Sequence, residues 1–154
     1  MPDLSRRALL CLLSAALAAP QLACALDDPD APDRVAAFVA RARDHEQAVI
    51  NAEHDAEGLA AAAAYAKFLD RELNTAYQQL LARVPADARR ELIRSQRRWL
   101  EFRDAEVQFI DANWTPAQFG SSSALSRSGY RNSLVKQRVL TLLDYMRNYG
   151  DGKP

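Results

Sequence analysis

Apolar residues recur every three or four positions along most of this chain, and no stretch sustains the strict alternation of a half-buried strand. Val35, Phe38, Val39, Ala42 and Val49 form the first such stripe and predict a helix from about Asp33 to Asp55. Gly58 predicts a break after it. The run Leu59–Ala64, nearly all alanine, then favours helix strongly. Ala62, Ala66, Leu69, Leu73, Ala76, Leu80 and Val84 continue as a second stripe, whose small residues admit a close neighbour. Val84-Pro85 ends it, because the residue before proline is pushed out of helical geometry. Pro85 opens a third helix, expected to reach about Asn113. Thr115-Pro116-Ala117-Gln118 reads as a capping box over a short turn. Phe119–Ser123 is the one clear internal loop. A last helix is expected over Ala124–Tyr149, with Leu134, Val135, Val139, Leu142, Leu143 and Met146 inward and Gly150 and Gly152 stopping it. The pattern predicts one all-α domain, residues 33–150, folded as an antiparallel three- to four-helix bundle.

Two segments depart from a plain amphipathic pattern. Asp70, Leu73, Asn74 and Tyr77 share one helix face, and Gln96, Trp99, Arg103 and Glu106 share another. Aromatic rings mixed with Asn, Gln and Arg predict an internal seam of hydrogen bonds, since a buried polar group left unpaired costs about 1–3 kcal/mol. Asp70 and Asp104 are the expected charge partners of Arg103 and Arg138.

The first 25 residues read as a signal peptide. Arg6 and Arg7 precede the apolar run Ala8–Ala19, and Ala23-Cys24-Ala25 is a cleavage site, so the expected mature chain starts at Leu26. The run is too short to span a bilayer, which needs about 20 residues. A twin-arginine route and lipidation at Cys24 are the alternatives. Residues 26–32 are expected to form a flexible leader, and 151–154 a disordered tail. Both cysteines, Cys11 and Cys24, fall in the signal, which removes thiol and disulfide chemistry from the mature domain.

Charge is balanced, with 20 Lys and Arg against 20 Asp and Glu. Acids crowd the first helix and arginines crowd Arg89–Arg103. Interleaved acids and near-neutral charge argue against nucleic-acid binding. No GxSxG elbow accompanies the serines, and no pair of carboxylates stands apart as a glycosidase would need. Asp44-His45-Glu46 and Glu53-His54-Asp55 resemble ligand triplets, but their histidines are nine residues apart and point to opposite sides of one helix. No metal, cofactor or catalytic residue is expected.

The order ELNxxY at Glu72–Tyr77, then LxxxQxxWLxFRD at Leu92–Asp104, then the Arg138-Val139-Leu140 helix end resembles the LprI-like lysozyme-inhibitor family. The likeness runs from about Leu59 to about Leu143. The family's usual cysteines are replaced near Ala61, Val107 and Tyr130. The resemblance implies a secreted helical protein that binds a lysozyme-type muramidase without turnover. Its motif positions, Asp70, Leu73, Asn74, Tyr77, Gln96, Trp99, Arg103, Asp104 and Arg138, are expected to be architectural. Two surfaces are candidates for the partner. One is the acidic first helix, through Asp44, Glu46, Glu53 and Asp55. The other is the loop Gly120-Ser121-Ser122 with Arg127 and Arg131. An envelope interaction module without lysozyme inhibition is the alternative, and a cell-wall hydrolase a remote second. The sequence leaves the oligomeric state open.

Overall fold

A computed structural model describes residues 33–147 and Tyr149. The expected signal peptide, leader and tail lie outside these residues, as do Gly150 and Gly152. The chain is all-α, with four long helices and one short one: α1 (Arg34–Ile50), α2 (Asp55–Arg83), α3 (Ala86–Asn113), α4 (Pro116–Phe119) and α5 (Ser123–Met146). Among the described residues there is no strand.

Asp33 caps α1 by accepting the Ala36 N–H at 2.8 Å. The first helix is shorter than its periodicity predicts. It stops at Ile50, and the turn falls at Asn51–His54 rather than at Gly58. Asp55 and Glu57 place negative charge in the first turn of α2, and the Glu57 carboxylate accepts the Glu53 N–H at 3.1 Å. These contacts start α2 ahead of the glycine. Gly58 is then carried inside the helix, buried where α2 meets Leu125 of α5. Val84 ends α2 in extended geometry and Pro85 caps α3, as the Val-Pro step predicts. Thr115 stands at the N-cap of α4, but its hydroxyl bonds Gln118 Oε1 at 3.3 Å instead of a backbone N–H.

The core belongs to α1, α2 and α5. Phe38 and Ala42 from α1, Tyr65, Phe68, Leu69, Leu73, Ala76 and Leu80 from α2, and Val139, Leu142, Leu143 and Met146 from α5 form one buried cluster. Asn132 locks α5 to α2 by donating to the Ala62 carbonyl at 3.0 Å. The third long helix sits apart. In its 28 residues only Gln96 and Ile110 are buried, and it packs on α5 while hardly touching α2.

That arrangement corrects the expected seam. Because α3 leans mainly on α5, no hydrogen bond joins the motif faces of α2 and α3 among the described residues. Leu73 is buried and Tyr77 half-buried, but Asp70 and Asn74 face solvent. On α3, Gln96 is buried and Trp99 half-buried, with the Arg103 and Arg138 guanidinium carbons each 5.7 Å from the Trp99 ring centre. Arg103 pairs with Asp104 at 2.7 Å, one of the two acids expected for it. Among the described residues Arg138 pairs with no acid; it donates to Gln96 Oε1 at 3.0 Å and Ser95 Oγ at 3.4 Å.

Candidate functional site

Side-chain pairings fix the helix directions. Arg41 meets Glu72 and Glu46 meets Tyr65, so α1 and α2 are antiparallel. Gln96 meets Arg138 and Asp111 meets Arg131, so α3 and α5 are antiparallel too. Gly58 faces Leu125 and Ala62 meets Asn132, so α2 and α5 run parallel. It follows that the α1–α2 corner and the α4–α5 corner lie at the same end of the bundle. The acidic corner and the Gly120 loop, two separate candidates in the sequence, flank one surface.

Between them is a groove of about 550 Å³. Glu46, Val49 and Ile50 of α1 form one wall, Ala62 and Tyr65 the floor, and Ser122, Leu125, Ser126 and Gly129 the other wall. Ile50 stands on a rim at 70% exposure, the most exposed large hydrophobic among the described residues. At the inner end, Glu46 accepts hydrogen bonds from Lys136 Nζ at 2.5 Å and Tyr65 Oη at 2.8 Å. Burial pushes the Glu46 carboxyl up. The hydrogen bonds from Lys136 and Tyr65 and the Lys136 charge outweigh that and hold it below the ordinary carboxylate range. Burial and the neighbouring carboxylate push the Tyr65 hydroxyl far above an ordinary phenol. Glu46, Lys136 and Tyr65 thus satisfy one another, and most of what the groove offers a partner is apolar.

The candidate acids divide. Asp44, Glu53 and Asp55 are exposed, whereas Glu46 is committed to Lys136 and Tyr65. The loop arginines are committed as well. Arg131 pairs with Asp111, and Arg127 donates to the Trp114 carbonyl and lies 3.7 Å from Asp111. They brace the corner instead of forming a basic tip. The exposed loop surface is Phe119, Gly120, Ser121 and Ser122. Gly120 turns the chain at φ 67°, and the Ser122 hydroxyl donates to the Phe119 carbonyl at 3.0 Å.

Periodicity flagged Val49 but not Ile50, Leu125, Tyr65 or Lys136. Ile50 and Leu125 read as ordinary helix apolars, and only their place beside the corners makes them groove residues. The two triplets do not share the one helix expected to carry both, because α1 ends at Ile50 and His54 stands at the N-cap of α2. His45 packs inward, 4.5 Å from the Phe68 ring centre, while His54 is exposed. Among the described residues no group of three or more His, Cys, Asp or Glu is placed to hold a metal. The arginine stripe of α3 is a solvated face, with Arg90 and Arg94 paired to Asp87 and Glu91 one turn away.

The family described as lysozyme inhibitor LprI matches residues 46–142. The chain belongs to the LprI family. No curated protein and no solved structure matched it. The LprI match begins at Glu46, inside the groove, and covers α2, α3, α4 and most of α5. Most of α1, Asp44 included, lies before it. The family's description names an inhibitor, and among the described residues no helix is long and apolar enough to cross a membrane.

Proposed function

We propose that this protein is an exported inhibitor of a lysozyme-type muramidase, acting by binding alone, and that the groove end of the bundle is its working surface. Membership of the LprI family carries the activity. The meeting of both candidate surfaces around one apolar groove carries the location. Exposed Asp44, Glu53 and Asp55 attract a basic partner, and Ile50, Phe119 and the groove floor supply apolar contact. The basic region and apolar run at Arg6–Ala19 support export.

The test is a lysis assay with surface plasmon resonance on three variants. Ile50→Asp keeps the fold, because the side chain is 70% exposed, and is expected to abolish inhibition through faster dissociation. The joint variant Asp44→Asn, Glu53→Gln, Asp55→Asn is expected to slow association, more so at 0.01 M salt, where screening extends to about 30 Å, than at 0.15 M, where it extends to about 8 Å. Phe119→Ala is expected to weaken binding as well. Wild-type inhibition unchanged in all three would move the site elsewhere. A second reading, an envelope interaction module without lysozyme inhibition, is favoured by α1, which builds the core through Phe38 and Ala42 yet lies mostly outside the family match. Failure of the wild type to inhibit or bind any lysozyme would select it.

A further inference from the structure

A second cleft, of about 350 Å³, opens on the adjoining side of α5, between it and α3. Its apolar wall is an aromatic cluster. Trp114 stands 4.3 Å from Tyr130 and 5.9 Å from Phe109 between ring centres, the latter pair edge-on at 85°. Phe109 is 58% exposed and Tyr130 45%, so ring surface stays open to a ligand. Its polar wall is made by Glu106, Ser133 and Gln137. Among the described residues no hydrogen bond reaches these three side chains, of which Ser133 also borders the groove.

We propose that this cleft binds a neutral oligosaccharide, one sugar ring lying against the aromatic wall and its hydroxyls bonding Glu106, Ser133 and Gln137. The lining selects that chemistry by elimination. A purely aliphatic ligand would desolvate three polar side chains and leave them unpaired. A phosphate or carboxylate would meet Glu106 and no cation, since the neighbouring Arg127 and Arg131 are tied to Asp111 and do not line the cleft. A sugar offers hydroxyls that both donate and accept, matching a carboxylate, a hydroxyl and an amide, and it offers C–H faces that pack on rings. The volume falls in the usual range for small-ligand sites, roughly 300–1,000 Å³. An organic cation held by the rings and Glu106 is the competing occupant.

The two occupants respond oppositely to charge. The purified protein is titrated, by calorimetry and saturation-transfer NMR, with β-1,4-linked tetramers of glucose and of N-acetylglucosamine, and with choline. Saturable binding of a tetramer is expected, changing less than about twofold with added salt and in Glu106→Gln, because an amide still bonds a hydroxyl. Phe109→Ala and Gln137→Ala, both at exposed positions, are each expected to weaken it about fivefold or more. No saturable binding of either tetramer overturns the proposal. So does tetramer binding untouched by both variants, or choline binding lost in Glu106→Gln while the tetramers stay silent. None of these readouts involves a lysozyme, so the outcome is independent of the inhibitor reading.

Discussion

Two guanidinium groups stand 5.7 Å from the Trp99 ring centre, and the half-burial of the ring sets what its loss costs. A fully buried tryptophan replaced by alanine costs roughly 3–5 kcal/mol; Trp99→Ala is expected to cost about 2 kcal/mol by urea unfolding. Gln96→Ala leaves the half-buried Arg138 without its main acceptor and is expected to cost about 1–3 kcal/mol despite removing no charge. Burial lowers the Arg138 pKa, against the raising charge of Tyr145, which is why an acceptor there matters. The Glu46 ion pair predicts a pH dependence. Its folded pKa is depressed, so its stabilisation is present above the unfolded value of 4.5 and is lost as pH falls through the lower folded value. Melting temperatures from about pH 6 to about pH 3 are expected to fall less in Glu46→Gln than in wild type. The sequence showed Gln96, Trp99 and Arg103 to be one face, because helical spacing is a local property. It did not show that Arg138 would choose an amide over an acid, since that depends on which helix α3 leans against.

Helix α2 runs through Gly58 because the turn is placed by residues before it. A methyl group added at Gly58 meets Leu125 at 3.5 Å and the Ala52 Cβ at 3.6 Å, which are ordinary contacts. Gly58→Ala is therefore expected to stabilise by about 0.5–1 kcal/mol, through reduced chain entropy and better helix propensity. A lower melting temperature would show that α2 and α5 need to approach more closely than these distances allow. Gly120 has the opposite character. Nothing stands near a methyl group there, yet its positive φ makes Gly120→Ala unfavourable by about 1–2 kcal/mol. The four long helices and their ends at Val84-Pro85 and Asn113 were legible from periodicity and proline. The short α1 was not, because its stripe has no residue that distinguishes a helix end at Ile50 from one at Asp55. What decides it is the Glu57 contact to the Glu53 N–H across the turn, and a Glu four residues after another Glu is too common a pattern to read as a start signal.

At the scale of the molecule, α1, α2 and α5 are one cooperative core and α3 is a buttress. Amides of α3 from Arg89 to Ser95, where only Leu92 is even half-buried, are expected to exchange hydrogen faster than those of α2 from Glu72 to Leu80. Equal protection would mean that α3 unfolds only with the core. The alternating helix directions also decide where the domain's two ends emerge. Arg34 shares a small cavity with Gln79 of α2 and Leu143 of α5, and Tyr149 packs against the core beyond Met146, so both ends leave at the base, opposite the groove. Any tether at either end, whether a lipid, a linker or a sensor chip, would therefore join the domain away from its groove. The acidic corner and the Phe119 loop would then stay clear of the attachment.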